Sequence, residues 1–447
     1  MTGKAAVYAI VGFSLGIMGG AMGVRELNLP RTPAASQEPG AYAALGVFGT
    51  AFDTVRARYV DATDEQKLVT AAISGMVASL DPHSSFVPGK DLQALQSLYE
   101  GESYELGVEF KAQGGEITVA RVIDGTSAAS SGVQIGDVVV SIDGLSTQGM
   151  TIEAALAKTR GGAHSTVLLT AVRGAARQIE DFLVKRDVVK TQSVTARIEG
   201  GDIGYIRIGQ FTERTADGVK AAFAAIGKAA PAGALKGYVL DLRGDPGGYV
   251  DQAIAIVNDF VDAGRIVSTQ ARNPRYRQVF AAAPGANLSR GKPLIVLIDG
   301  ATASAAEIVA GALQDLKRAR IVGMRSFGKG SMQSTIMLGS QGALRLTTAQ
   351  YLLPSGRSIQ ARGIVPDIEV RPDLPADENA WAQTQGEASL PGHLANGGDE
   401  HSGSQAYVPS DPARDRQLIV AVSLLHAGDP HKSTVDTTHP LTAGQPH

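Results

Sequence analysis

Ser304, in G-A-T-A-S-A-A-E-I (300–308), and Lys329, in R-S-F-G-K-G-S-M-Q-S (325–334), are residue types that together can carry out acyl transfer. A serine on the first turn of a helix lies beside N–H groups that the helix leaves free, and such donors stabilise an oxyanion. Serine is also a preferred helix N-cap, so position alone leaves both roles open. A nucleophile needs a base. Six of the eight histidines lie at or beyond His393 in a polar tail, leaving His83 in a helix-end turn and His164 in a β-patterned region. A Ser-His-Asp triad is poorly supported on that distribution. Lys329, enclosed by glycines and apolar residues, can lose its charge through desolvation and serve as the base of a Ser-Lys pair.

Two competing motifs fail on context. Gly323 to Lys329 reads G-x-x-x-x-G-K, but Gly330 replaces the Ser/Thr that would hold magnesium, and T-I-M-L onward is strand-like where a helix is required. Gly12-Phe13-Ser14-Leu15-Gly16 matches a nucleophile elbow, yet it sits in an uncharged N-terminal run that supplies no strand and sheet. Asp315 lies eleven residues beyond Ser304 on the same helix, about 16 Å away, and is expected to support the fold.

The elements that must position Ser304 follow one plan used twice. G-Y-V-L-D-L-R-G-D-P-G-G-Y-V (237–250) precedes a helical face of Ala253, Ile254, Ile256, Val257, Phe260 and Val261. P-L-I-V-L-I-D-G (293–300) precedes Ile308, Val309, Ala312, Leu313 and Leu316. Unbroken apolar runs joined through helices indicate buried parallel strands of an α/β sheet, with the loops at the strands' carboxyl ends gathered into one crevice.

The rest of the 447 residues organises around this core. Residues 1–24 hold a 20-residue uncharged run (5–24) that suits either a cleaved signal peptide or a retained membrane anchor, and 25–40 read as a linker. Residues 41–101 form a helical region. Leu45, Phe48, Phe52, Val55 and Tyr59 mark one amphipathic helix, and Thr63 with Gln66 forms a capping box for a second. Residues 102–187 alternate short strands with turns, including Glu116–Ile123, Val138–Ile142 and Val167–Val172. Residues 373–447 read as a flexible tail carrying a short apolar helix at Gln417–Leu425. A net charge of -3 argues against nucleic acid as a partner, and no cysteine is present to form a disulfide or ligate zinc.

Through L-G-V-E-F (106–110) and S-S-G-V-Q-I-G-D-V-V-V-S-I-D-G (130–144), residues 102–187 resemble a PDZ domain. That resemblance implies a carboxylate-binding loop at Leu106, Gly107 and Val108, with a peptide added at the sheet edge. Across 41–372 the chain resembles the carboxyl-terminal processing (tail-specific) proteases, serine peptidases of family S41. The resemblance rests on A-T-A-S-A-A-E-I-V-A-G-A-L-Q-D (301–315), S-F-G-K-G-S-M-Q (326–333), L-D-L-R-G-D-P-G-G (240–248), D-P-H-S-S-F (81–86) and residues 346–367. It implies a crotonase/ClpP-like α/β protease core over 188–372, with an inserted β-rich PDZ domain and an N-terminal helical segment. By position it makes Ser304 the nucleophile, Lys329 the general base and Gln333 the residue that orients the lysine. The oxyanion hole would come from the backbone of Ala305 and of Gly247 or Gly248.

Further expectations follow: endopeptidase action on exported proteins with apolar C-termini, in the periplasm or at the outer face of the cytoplasmic membrane. No metal or organic cofactor is called for, and the partners to look for are a regulatory adaptor, a membrane through the N-terminal segment and a second copy of the chain. Asp245 stands where the family usually has asparagine, and an inward carboxylate there would disfavour an oxyanion. The alternative is a weak or inactive PDZ scaffold on a protease fold.

Overall fold

The computed structural model describes residues 39–428 apart from short stretches at 93–101, 114–115, 123–125, 151, 160, 162–163, 175–176, 191–192, 232, 286, 375–383 and 410. The uncharged run at 5–24 and most of the stretch read as a linker lie outside the described residues.

Helices Pro39–Arg58 and Glu65–Ala78 open the chain. The first leaves Leu45, Phe48 and Val55 exposed, as is Tyr59 just beyond its end, so its apolar face is not spent on the described core. The second is capped by Asp64, whose side chain accepts from the N–H of Lys67, and not by Thr63. Asp64 competes for the same role one residue closer to the helix, and a carboxylate there also opposes the positive end of the helix dipole.

The β-rich module is one antiparallel sheet in the order Val108–Gln113, Glu116–Val122, Val138–Ile142, Thr166–Arg173, Gln178–Lys185. Alternate residues point inward, among them Ile117, Val119, Ile142, Leu169 and Val184, and form a core separate from that of the larger domain.

The larger domain is built on a six-stranded sheet in the order Val194–Glu199, Ile203–Ile208, Gly237–Asp241, Leu294–Ile298, Arg320–Gly323, Ile368–Glu369, parallel except for the first pair. In the central strand, Leu294, Val296 and Ile298 face helices Thr215–Ala229, Val250–Asn258 and Ala305–Asp315. Ile295 and Leu297 face the other way, which explains why the run is apolar without alternation.

What covers that second face corrects, for residues 384–426, the reading of 373–447 as a flexible tail. Helix Arg416–His426 lays Leu418, Ala421, Leu424 and Leu425 against Tyr205, Val239, Ile295 and Leu297. Each fully buried leucine contributes about 1.5–3 kcal/mol. The helix is pinned by Arg243, which is fully buried and bonded to both Asp415 oxygens (2.8 and 2.7 Å) and to Asp241. Burial works against the charge on Asp241, but Arg243 beside it holds that carboxyl down at about 2. Pro-, Gly- and acid-rich composition signals disorder only when nothing apolar is buried alongside it, and residues 384–405 are also tied in through Glu387, Thr384 and Ser404.

A second, antiparallel sheet lies beside the first. Its long strand Gly342–Leu352 pairs with Ser85–Pro88, Arg265–Ala271 and Ser331–Met337. Gln333 lies on the last of these, and Lys329 lies on the loop two residues before that strand begins.

Candidate active site

Ser304 stands at the joint between strand Leu294–Ile298 and helix Ala305–Asp315, as the N-cap of the helix. Its backbone is at φ 55°, ψ -114°, a region that non-glycine residues avoid. The surrounding bonds hold it there. Its N–H donates to Glu307 Oε2 at 2.8 Å, the N–H of Ala303 is bonded to the carbonyl of Asp245 at 2.8 Å, and Thr302 Oγ1 donates to the carbonyl of Leu242 at 2.8 Å.

The first βα loop reaches the same place. A side chain at Gly247 would put its Cβ 2.8 Å from the carbonyl oxygen of Ala303 and 2.9 Å from both Ala305 N and Ser304 Cβ, and φ is +93°. Only glycine allows that approach. A Cβ at Gly248 would collide with the carbonyl of Phe211. The Gly247 carbonyl and the Tyr249 N–H both pair with Phe211, at 2.9 Å each, so the N–H of Gly248 between them is turned away from that strand. Gly247 N–H is itself taken by Asp245 Oδ1 at 2.8 Å. Among the described residues, the N–H groups of Gly248 and Ala305 donate to no protein acceptor.

Lys329 Nζ donates to Gln333 Oε1 at 2.8 Å, and Gln333 Nε2 donates to Ser331 Oγ and to Thr347 Oγ1 at 2.9 and 3.2 Å. Thr347 Oγ1 in turn donates to Asp81 Oδ1 at 3.0 Å. A shift in strand register between Met332 and Gln333 turns Gln333 toward the lysine. Burial pulls the Lys329 ammonium down to about 8, and the charge of nearby Arg345 adds to the effect against the attraction of Glu387, Glu307 and Asp81. Ser304, Lys329, Gln333, Gly247, Gly248 and Arg345 line one cleft of about 220 Å³.

Sequence reasoning missed Glu307. It is fully buried and accepts four hydrogen bonds: from Ser304 N–H (2.8 Å), Ser326 Oγ (2.5 Å), Gly328 N–H (2.7 Å) and Lys329 N–H (2.8 Å). One carboxylate therefore fixes the backbone of both the serine and the lysine. Burial pushes it up to about 7, although all four donors favour the ionised form. Its signal was the S-x-x-E spacing 304–307, the signature of a capping box. Two other braces were also unforeseen. Asp81, in D-P-H-S-S-F, supports Gln333 through Thr347. Glu387, from the supposed tail, accepts from His83 Nε2 at 2.8 Å and from Gln360 Nε2 at 2.9 Å, while its N–H bonds the carbonyl of Phe327. Asp315 stays away from the cleft, bonded to Arg357 and Ser355 N–H at 3.0 and 2.9 Å.

In the β-rich module, Leu106 is buried, Gly107 takes φ +81°, and Val108 starts the terminal strand of the sheet. Helix Ile152–Thr159 packs beside that strand. A terminal strand next to a helix is the arrangement into which an extended peptide can insert. Among the described residues no cluster of three or more His, Cys, Asp or Glu could hold a metal ion.

Peptidase family S41 matches residues 202–370, the PDZ domain family residues 118–173, and the N-terminal domain of the activating protease CtpB residues 1–90. A carboxy-terminal-processing protease of Bartonella bacilliformis is 45% identical over 398 residues, 89% of this chain and 91% of that protein. The carboxy-terminal processing protease CtpA of Bacillus subtilis is 32% identical over 73% of this chain and 68% of its own length. A solved structure, a photosystem II D1 C-terminal processing protease, is 28% identical, covers 74% of this chain and 94% of its own, and superposes with a TM-score of 0.45.

Proposed function

The chain belongs to peptidase family S41 as a carboxy-terminal processing protease, and from that premise we propose that it cuts with a Ser304-Lys329 dyad. The observation that carries the reading is the meeting, in one cleft, of a lysine drawn down to about 8 and a serine at a helix N-terminus beside two unspent N–H groups.

Neutral Lys329 takes the proton of Ser304 Oγ as that oxygen attacks the scissile carbonyl. The oxyanion is received by Gly248 and Ala305 N–H. Lys329 then gives its proton to the departing amine, leaving the N-terminal part of the substrate esterified to Ser304. Water attacks the ester, loses its proton to Lys329, and the serine is regenerated when that proton returns to Oγ. Gln333, accepting from Nζ, keeps the lysine aimed while its charge comes and goes.

Tail recognition belongs to the β-rich module. The substrate's C-terminal carboxylate would be received by the backbone around Leu106, Gly107 and Val108, and its last residues would extend the sheet at strand Val108–Gln113. The uncharged run at residues 5–24 supports action outside the cytoplasm, in the periplasm or at the outer face of the cytoplasmic membrane.

The test is a pair of unstructured protein substrates, identical except that one ends in apolar residues and the other in aspartates. The full chain is expected to cut the first with a KM about tenfold lower and a similar kcat. Equal KM values would remove the module from substrate selection. Binding of the apolar tail without cutting would favour a scaffold.

A further inference from the structure

Asp245 is fully buried at the centre of the loop that ends in Gly247 and Gly248. Its Oδ1 accepts from Gly247 N–H at 2.8 Å, and its main-chain carbonyl accepts from Ala303 N–H at 2.8 Å. One residue therefore ties the glycine loop to the segment carrying Ser304. Its Oδ2 is buried and has no hydrogen-bond partner. A buried carboxylate with a single donor and no bonded cation would be far costlier than the neutral acid.

The charged groups facing it do not change that balance. Arg207, from strand Ile203–Ile208, directs its guanidinium to Asp241 Oδ2 and to the carbonyl of Arg243, at 3.3 and 2.9 Å. Asp299, on the segment leading to Ser304, is itself buried and adds a like charge. Burial first, then Asp299, pushes the Asp245 carboxyl well above the usual carboxylate range, against Gly247 N–H and Arg207.

We propose that Asp245 is a positioning residue that works as the neutral carboxylic acid: its carboxyl holds Gly247 N–H while its main-chain carbonyl holds Ala303, so that the N–H groups of Gly248 and Ala305 converge beside Ser304. The inward carboxyl then brings no negative charge to the place where the oxyanion forms. This assignment rests on the function proposed above.

The test uses the full chain in two arms. In the first, unfolding by denaturant is followed from about pH 5 to about pH 7 in a Ser304→Ala background, with and without Asp245→Asn. In the unfolded chain Asp245 is ionised over this range, whereas in the folded chain it keeps its proton. Its folded-state value is raised, so the stability it gives is lost as pH rises above about 4. The ratio of folding constants, asparagine version over parent, is expected to rise about tenfold per pH unit. A ratio that stays flat across this range would overturn the neutral-acid assignment.

In the second arm, Asp245→Ala is expected to lower kcat about a hundredfold with KM within about threefold. Asp245→Asn, which keeps the Oδ1 acceptor, should recover most of that loss. Equal activity for the alanine version and the parent would overturn the positioning role. If no version cuts, the proposed function fails, and the folding arm still reads the protonation of Asp245.

Discussion

Replacing Lys329 with alanine is expected to lower kcat/KM for a flexible protein substrate by about a thousandfold, within the range that a positioned general base supplies. In the parent, activity should climb through about pH 8 as the ammonium loses its proton, because only the neutral amine can take a proton from Ser304. At pH 7 roughly a tenth of the molecules would be competent. The alanine version should lose this limb together with the rate. An activity-independent check follows from linkage. The folded lysine gives up its proton near pH 8, while the unfolded one keeps it to about 10.4, so the parent gains stability between those values relative to Lys329→Ala. Measured unfolding that shows the same pH slope for both proteins would mean that Lys329 is not depressed, and the proposed base would fail with it.

The second large effect concerns Glu307. Alanine there would leave four donors without their acceptor, two buried and two part-buried, at about 1–3 kcal/mol for each buried one, so a loss of several kcal/mol is expected even after partial relaxation. Glu307→Gln is no rescue, since each carboxylate oxygen accepts two donors and an amide nitrogen accepts none. Ser326→Ala removes one donor only and should be mild by comparison. In the glutamine version, kcat should drop about a hundredfold, with KM little changed, because the backbones of Ser304 and Lys329 are released together. A glutamine version with parental kcat would show that the serine and lysine are held by other contacts. The parent should also lose activity more steeply below about pH 7, where Glu307 takes a proton, than one titrating lysine would produce.

How legible this site was in the sequence depended on the range of the forces involved. Strands such as Leu294–Ile298 are marked by residues buried on both faces, and the glycines at 247 and 248 announce a close approach that any side chain would block. Ser304 and Lys329 stood out because few residue types can do their chemistry. Glu307 was hidden in plain view, since a glutamate three residues after a serine is an ordinary cap until the fold brings residues 326–329 onto its other lone pairs. Asp81, Thr347 and Glu387 come from segments distant in sequence, and their link to Gln333 and Lys329 exists only after the second sheet has formed. The helix at 416–426 was legible as a helix. Its docking was not, because the buried partner of Asp415 is Arg243, 172 residues earlier. The register shift at Met332 and Gln333 likewise leaves no local composition signal.

The central claim is that Ser304 carries the acyl group during turnover. The most direct measurement is to quench the full chain with an unstructured, apolar-tailed substrate in acid and locate the attached mass by peptide mapping. The account predicts the N-terminal part of the substrate on the peptide containing Ser304, and neither adduct nor cleavage in Ser304→Ala. Cleavage that persists in Ser304→Ala, or an adduct on another residue, would contradict it.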